Sequence, residues 1–446
     1  MTKVEADIIG VPLSEDMMLT LKRFPQIVID TIEQIQSHGH GAWLVGGCVR
    51  DLVSSVSSQD FDVTTSATPQ EILELFGANA VPTGLEFGTI TLKTNPKIEI
   101  TTLRTEAGYQ DLRHPDEVHW GTSLRDDLSR RDFTMNAMAI DPVSSMLFDP
   151  FGGRIDMKKN ILKGVGNPHL RCKEDALRVL RAFRFLSSNP QRMLHLDDEL
   201  RRAIEMNAKN ISALSAERIW NELKRIFSHR HLKEILRLMA DTNVFQTIFS
   251  RHNPPSYSAC ISTINAKLTS PQILAFLLIE SPFIDIQAYE DELRLSKQER
   301  KEFHRFHKLL SSPPVPTFSG LRLFHHFARK ETETILTLQQ CLSNEQILLV
   351  HKIKISPDDA RKNLELLNDP ALNLIEHEPL LNGSDIMAAT SIHQGERVGR
   401  LKEWMFKIQI EMNILTKQEM MVHLASCDWE YIETDDMPDL QIPIKT

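Results

Sequence analysis

Apolar residues near the start of the chain recur with the spacing of a helix and then form a short continuous run. Between positions 17 and 40 they return every three or four residues, the period of an amphipathic helix. They are Leu21, Phe24, Ile27, Val28, Ile32 and Ile35. The run AWLV at 42–45 is short and wholly apolar, which is typical of a buried strand. We therefore expect one helix over 17–40, packed beside a first strand.

The next segment combines a helix with further strands. Thr68 precedes Pro69, and Glu71 lies three positions after Thr68, which is the pattern of a capping box with proline in the first turn. This pattern predicts a helix over 66–76. Alternation of apolar and polar residues predicts strands at 89–92 and 98–103. The fold class expected for this region is therefore α+β, in one small mixed domain.

From about residue 167 the helical period continues and no strand-rich run recurs. Proline-rich breaks at 254–255 and 313–316 divide the helical part. We predict an α+β domain at 1–156 and helical regions at 157–230, 231–315 and 316–446. The last region ends in an acidic stretch, 428–439, which we expect to be loose.

A glycine turn between the first strand and the next helix is the first candidate for chemistry. Gly46 and Gly47 let the backbone approach a ligand closely, and a turn leading into a helix offers N–H groups to phosphate. Arg50 adds a forked cation suited to phosphate. An ordinary turn remains the alternative when this feature is taken alone.

Two carboxylates follow this turn on an apparent strand. Asp60 and Asp62 are two residues apart and alternate with Phe61 and Val63, so both acids should face one side. Oxygen ligands of this kind suit Mg²⁺, and the pair resembles a site for two-metal nucleotidyl transfer. Glu99, on a neighbouring predicted strand, either completes this site or is an exposed edge residue.

Charged residues crowd the segment 123–139. Five charged residues precede an apolar pattern that we interpret as a helix carrying Asn136. They are Asp126, Asp127, Arg130, Arg131 and Asp132. This cluster predicts either buried structural ion pairs or contacts with a ligand.

A basic helix is predicted from 167 through the run CKEDALRVLRAFRFL. Arg178, Arg181 and Arg184 form one stripe, and Asp175 lies three residues before Arg178. A surface ion pair is one interpretation. If this face meets a nucleotide, Arg178 donates to a ring nitrogen and Asp175 accepts from an exocyclic amine, a pattern that cytosine and adenine match and guanine and uracil do not. Arg181 and Arg184 would then hold the triphosphate or the attacking strand.

The segment 104–120 is polar and irregular, and Gly108 and Pro115 argue against a continuous helix. It is either a mobile functional loop or an ordinary surface excursion.

The composition indicates the cellular compartment of the protein more clearly than it indicates a binding partner. The formal charge of −9 is not typical of a nucleic-acid-binding protein. Net charge is a weak guide, however, because a local basic strip can still bind phosphates. The five cysteines are isolated, which fits free thiols in a reducing cytosol. The N-terminus does not have the pattern of a signal peptide, and no apolar run approaches the ~20 residues of a membrane span. We expect a soluble, cytoplasmic protein with no membrane association.

Four ordered motifs resemble the class II tRNA nucleotidyltransferases, a family of CCA-adding, CC-adding and A-adding enzymes and bacterial poly(A) polymerases. VGGCVRD with DFDVTT is similar to the catalytic motif, and RRDFTMNAMA to the motif that contacts the sugar. EDALRVLRAFRF is similar to the base-templating motif, and SAERIWNEL at 215–223 to the helical motif that braces it.

The resemblance implies a polymerase β-like nucleotidyltransferase head at 1–156, a neck at 157–230 with the base-templating helix, a body at 231–315 and a tail at 316–446. It implies that Asp60 and Asp62 bind Mg²⁺, with Glu99 a further catalytic candidate. The residues expected to bind nucleotide are Gly46, Gly47, Arg50, Arg131, Asp132, Asn136, Asp175, Arg178, Arg181 and Arg184. Those expected in a flexible loop are Arg104, Glu106, Tyr109, Asp111 and Arg113.

Within the family, the segment GLEFGTITL at 84–92 is similar to the CCA-adding version and lacks the basic Arg/Lys-Phe-Arg run usual in the poly(A) polymerases. The linker LVSSVSSQD departs from the family by lacking its Leu-Gly turn. The expected function is addition of CCA to tRNA from CTP and ATP. An A-adding enzyme or a poly(A) polymerase is the nearest alternative, followed by an RNA-binding protein with an inactive head and a small-molecule nucleotidyltransferase.

Overall fold

The computed structural model describes residues 5–85, 88–107, 117–189, 192–249, 268–279, 283–344 and 355–442, with only the backbone at 105–107, 117–119 and 283–286. The chain forms two compact units, Met1–Ser250 and Arg251–Thr446. None of the helices in these ranges is long and apolar enough to cross a membrane.

The first unit contains an eight-stranded mixed sheet. Its strands are β1 Val11–Pro12, β2 Ala42–Val45, β3 Phe61–Thr65, β4 Ala80–Gly84, β5 Thr89–Leu92, β6 Ile98–Thr102, β9 Ala139–Asp141 and β10 Met146–Phe148. The spatial order is β1-β10-β9-β2-β3-β6-β5-β4, and only β3 and β6 run parallel. Two short pairs stand apart, β7 Arg104–Ala107 with β8 Glu117–Trp120 and β11 Ile161–Leu162 with β12 His195–Leu196. The strands predicted near 42–45, 89–92 and 98–103 are confirmed.

The region 17–40 is two helices rather than the single helix expected. The helices α1 Glu15–Leu21 and α2 Gln26–Ser37 are separated at Pro25, which takes the N-cap position of the second helix. Proline lacks the N–H that a continuous helix needs at that position. The predicted capping box is present at the start of α4, Pro69–Phe76, which follows α3, Gly47–Val53.

The segment 123–139 also differs from the predicted helix. It forms α5 Leu124–Ser129, a 3₁₀ turn Thr134–Asn136 and then β9. Backbone hydrogen bonds to 163–165 explain the change: Thr134 N–H donates to the Lys163 carbonyl at 3.0 Å, and Val165 N–H donates to that of Asp132 at 3.2 Å. The apolar residues of this segment are buried as expected, but in a sheet and a turn.

The rest of the first unit is mainly helical. After α6, Gly153–Lys158, the expected basic helix is split into α7 Pro168–Glu174 and α8 Leu177–Phe185. Asp175 between them is the C-cap of α7 and has an extended backbone (φ −139°, ψ 107°), which ends that helix. Its Oδ1 accepts the N–H of Leu177, the first residue of α8, at 3.0 Å. The helices that follow are α9 Asp198–Asn207, α10 Ala216–Phe227, α11 Leu232–Asp241 and α12 Val244–Ile248.

The second unit contains helices and no strand in its described residues. The helices are Ser270–Leu277, Phe283–Glu292, Lys297–Ser311, Phe318–Ala328, Thr332–Asn344, Pro357–Leu367, Gly383–Thr390, Glu396–Met412 and Lys417–Ser426. The acidic stretch 428–439 is not loose: Met437 is buried in an apolar cluster, and Arg397 donates to the carbonyls of Trp429 and Ile432. The mixed sheet of the first unit and the helices of both units confirm the α+β fold class.

Candidate active site

One cavity of about 480 Å³ in the first unit collects most of the predicted site residues. The predicted residues that line it are Gly46, Gly47, Arg50, Asp60, Asp62, Arg131, Asp132, Asn136, Asp175, Arg178, Arg181 and Arg184. They come from the start of α3, the start of β3, the segment after α5, and α8. Their proximity was expected, whereas the roles assigned to them remain predictions.

The glycine turn brings the backbone against the acidic strand. Gly46 has φ +74° and ψ −132°, a conformation that side-chain-bearing residues rarely adopt. A Cβ there would lie 3.1 Å from Oδ2 of Asp62 and 3.4 Å from Nη1 of Arg131. The backbone angle therefore favours glycine, and a Cβ would in addition crowd the side chains of Asp62 and Arg131. The helix that carries Arg50 begins at the next residue, Gly47.

The acidic end of the cavity is built from β3 and its neighbours. Asp60 immediately precedes β3, and Asp62 pairs in register with Val45 on one side and Glu99 on the other. Burial raises the pKa of Asp62, Glu99 and Asp60 raise it further, and Arg131 opposes the rise. A cluster of carboxylates with this excess of negative charge fits a divalent cation.

Glu99 is exposed and does not line the cavity, although its Cα faces that of Asp62 across parallel strands. Its catalytic role therefore remains a prediction. Among the described residues there is no group of three or more His, Cys, Asp or Glu side chains placed to hold a metal ion. A cation bound by Asp60 and Asp62 would take its other ligands from water and substrate phosphate, as Mg²⁺ does.

Another part of the cavity lining is a hydrogen-bonded chain of neutralised charges. Arg181 donates from Nε to Oδ2 of Asp132 at 2.8 Å, and Asn136 donates to Oδ1 at 3.2 Å. The Asn136 amide in turn accepts from Nη1 of Arg50 at 3.0 Å. Although burial alone would raise it, the pKa of Asp132 is held below its usual value by Arg181, Asn136 and the Phe133 N–H. The chain joins α3 to α8.

Asp127, in the charge cluster at 126–132, forms buried ion pairs. Its side chain is fully buried, bonded to Nε and Nη2 of Arg130 at 3.0 and 2.7 Å, and 3.4 Å from Nη2 of Arg131. Although burial alone would raise it, these two arginines hold the pKa of Asp127 below its usual value. The first of the two interpretations, buried structural ion pairs, is therefore confirmed for Asp127, while Arg131, Asp132 and Asn136 line the cavity.

Asp175 and Arg178 both line the cavity but are held by other partners than each other. Nη2 of Arg218 in α10 donates to both carboxylate oxygens of Asp175 at 3.1 Å. Arg178 donates to Oε2 of Glu174 at 2.8 Å and to the carbonyls of Arg171 and Arg130 at 3.0 and 2.9 Å. The i, i+3 ion pair considered from the sequence is therefore replaced by these contacts.

Several cavity residues were not singled out from the sequence. Four of them line the cavity: Asp51, Ser58, Gln59 and Phe185. In addition, Oε1 of Glu222 in α10 lies 3.4 Å from Nη1 of Arg184. Asp51 follows Arg50 within VGGCVRD, and the motif at 215–223 contains Arg218 and Glu222, so the motifs carried a signal for these three. Phe185 ends the motif EDALRVLRAFRF, but it also follows the helical apolar pattern, which indicated a core residue.

The predicted flexible loop is described only at its base. Residues Arg104–Ala107 and Glu117–Trp120 pair as an antiparallel hairpin, with Arg104 opposite Trp120 and Glu106 opposite Val118. The side chain of Glu106 and the residues Tyr109, Asp111 and Arg113 lie outside the described part of the chain.

Comparison with known proteins agrees with this geometry. A family model described as "Poly A polymerase head domain" matches residues 42–163, and one described as "Probable RNA and SrmB- binding site of polymerase A" matches 193–255. The CCA-adding enzyme of Staphylococcus haemolyticus is 31% identical over 396 residues, covering 87% of this chain and 92% of the relative. That of Staphylococcus saprophyticus is 32% identical over 368 residues, covering 82% and 88%.

Solved structures share the fold. The Bacillus stearothermophilus CCA-adding enzyme in complex with CTP aligns with a TM-score of 0.68 and 23% identity, covering 93% of this chain and 98% of the other. The Thermotoga maritima CCA-adding enzyme complexed with tRNA aligns with a TM-score of 0.67 and 18% identity, covering 94% and 99%. Taken with the similarity of the two staphylococcal relatives along most of its length, these matches show that the chain belongs to the CCA-adding enzyme family of tRNA nucleotidyltransferases.

Proposed function

We propose that this protein is a template-independent nucleotidyltransferase that completes the 3′ CCA end of tRNA from CTP and ATP. The observation that carries the proposal is the single cavity that joins an acidic pair, a glycine turn with Arg50, and the Asp175–Arg178 segment. An inactive RNA-binding head would have no need for two facing acids beside a cation-rich nucleotide cavity.

In the reaction, the 3′ hydroxyl of the RNA attacks the α-phosphorus of the nucleotide, and pyrophosphate leaves. Gly46, Gly47 and Arg50 bind the triphosphate, while Asp60 and Asp62 would hold Mg²⁺. When bound, Mg²⁺ supplies charge neutralisation and lowers the pKa of the attacking hydroxyl. Arg131, whose Nη1 lies beside the Gly46 backbone, compensates the negative charge at this end of the cavity.

Base selection falls to Asp175 and Arg178. Oδ1 of Asp175 already accepts from Leu177 N–H and Arg218, but Arg218 is the one donor to Oδ2 in the part of the chain that the structure describes, so Oδ2 can accept a further hydrogen bond from an exocyclic amine. Within the described residues, the bonds of Arg178 use Nη1 and one hydrogen of Nη2, so Nε and the other Nη2 hydrogen remain for a ring nitrogen. Guanine and uracil present a carbonyl and a ring N–H instead and would leave buried groups unpaired, which discriminates strongly.

The remainder of the chain provides the RNA-binding surface in this proposal. We assign the head to 1–156, the neck to 157–230, the body to 231–315 and the tail to 316–446. The helical regions would hold tRNA by its shape and backbone, because duplex RNA presents little sequence information to side chains. The cytoplasm, where tRNA and free thiols coexist, is the proposed location.

The decisive experiment supplies each nucleotide alone and then CTP with ATP to three primers: tRNA lacking CCA, tRNA lacking only the final A, and oligo(A). We expect CTP addition to the first primer, ATP addition to the second, and full CCA when both nucleotides are present. Activity on the second primer alone would identify an A-adding enzyme, and long products on oligo(A) would identify a poly(A) polymerase. Failure on all three would overturn the proposal.

A further inference from the structure

Three arginines of the nucleotide cavity surround one aromatic ring. The guanidinium carbons of Arg184, Arg181 and Arg50 lie 4.9, 5.2 and 5.6 Å from the ring centre of Phe185. Phe185 is the last residue of α8, lines the cavity and is only 7% exposed. The three cations come from two different elements, because Arg50 belongs to α3.

The Phe185 ring can orient the three guanidinium groups without using their hydrogen-bond donors. A guanidinium beside an aromatic ring is attracted by the ring quadrupole, while its N–H groups point outward in its own plane. Each arginine also has an acid partner, Asp51 for Arg50, Asp132 for Arg181 and Glu222 for Arg184. The ring therefore lies where three like charges converge, and it limits the directions they can take.

We propose that Phe185 is a positioning residue that aligns Arg50, Arg181 and Arg184 to bind the phosphate groups of the incoming nucleotide. The inference rests on the proposed function and adds an uncharged residue to the phosphate-binding set. Because phosphates are common to CTP and ATP, Phe185 affects both nucleotides equally and leaves base choice to Asp175 and Arg178.

A purely structural role makes a different prediction. The Phe185 ring also packs edge-on against Phe133, with ring centres 5.5 Å apart, so its removal disturbs the core as well. Phe183 provides a matched control, because it lies on the same helix, is fully buried and does not line the cavity. Loss of either ring weakens packing, but only loss of the Phe185 ring removes the contact with the three arginines.

The experiment compares the full-length wild type with F185L, F185Y, F185W and F183L. Binding of CTP and of CMP is measured without primer, and melting temperatures are recorded. KM and kcat are measured for CTP on tRNA lacking CCA and for ATP on tRNA lacking only the final A. We expect F185L to weaken CTP binding about tenfold, the effect of losing more than one cation–π contact, with a smaller loss for CMP. KM should rise equally for CTP and ATP while kcat changes little, and at least one aromatic variant should restore CTP binding.

F183L should lower the melting temperature and leave CTP affinity unchanged. The inference is overturned if F185L binds CTP as the wild type does, if F183L and F185L lose CTP affinity equally, or if neither aromatic variant restores binding. A change confined to one base would also overturn it. If the wild type itself binds neither CTP nor ATP, the proposed function fails instead, so the two failures are distinguishable.

Discussion

Two acids that line the nucleotide cavity, Asp62 and Asp132, are in opposite electrostatic states. Burial raises the pKa of Asp62, the neighbouring acids raise it further, and the opposing effect of Arg131 is too small to prevent the rise. Burial would also raise the pKa of Asp132, but Arg181 and Asn136 hold it below its usual value. Arg131 therefore compensates only part of the negative charge around Asp62, whereas the charge of Asp132 is already neutralised by the fold.

This difference distinguishes acids that bind a ligand from acids that stabilise the fold. An acid without a cationic partner is costly when buried, and a bound cation removes that cost. An acid with arginine partners keeps those arginines in place, and its removal leaves them buried and unpaired. Removal of an acid that binds the ligand should accordingly affect catalysis, and removal of a buried, fully paired acid such as Asp127 should chiefly affect stability.

The largest effect is expected at the acidic end. Asp60→Ala or Asp62→Ala should reduce nucleotide addition by at least about 10⁴-fold, because a metal-binding carboxylate is lost. The melting temperature should not fall, since repulsion within the cluster is relieved. Primer extension at increasing Mg²⁺ together with thermal unfolding tests this, and near-normal rates at saturating Mg²⁺ in both variants would contradict the metal assignment.

Removal of a compensated acid should chiefly affect stability. Asp127→Asn removes the buried negative charge that pairs with Arg130 and Arg131 and should lower the free energy of unfolding by about 3–5 kcal/mol. Urea unfolding provides the measurement. Asp126→Asn is the matched control, because the neighbouring carboxylate is exposed and should change stability by less than about 0.5 kcal/mol. Equal effects of the two substitutions would show that the buried ion pairs do not matter.

A smaller effect is expected on base preference when Arg178 is replaced, because this side chain bonds to the protein and, in the proposed function, also to the base. Arg178→Ala should narrow the preference for CTP and ATP over GTP and UTP by at least about tenfold, or about 1.4 kcal/mol. The measurement is kcat/KM with each of the four triphosphates. If the rate falls equally for all four and GTP and UTP are still rejected, Arg178 does not select the base.

The smallest effect is in the pH dependence of stability. The pKa of Asp127 is lower in the folded protein than in the unfolded chain, so its contribution is fully present above the unfolded value and is lost as pH falls through the folded one. The stability difference between the wild type and D127N should therefore stay constant from pH 7 to about 5 and shrink below about pH 4. A difference that grows on acidification would contradict the ion-pair assignment.

Local features of this protein were determined by the sequence alone. The capping box of Thr68 and Glu71, the strands at 89–92 and 98–102, and the glycine turn before Arg50 each depend on residues within a few positions of one another. The four ordered motifs likewise predicted which residues share the cavity. The break at Pro25 had a local cause too, and the helical period of the surrounding apolar residues obscured it.

Only the tertiary structure decided how these pieces are interrupted and paired. Asp175 separates α7 from α8 while holding Arg218, which is 43 residues away. The segment after Asp132 leaves the helix because its backbone bonds to 163–165. Phe185 has the periodicity of a core residue, yet its ring meets Arg50 from another helix. Periodicity records which face of a helix is apolar, whereas the partner of a side chain depends on contacts between residues far apart in the chain.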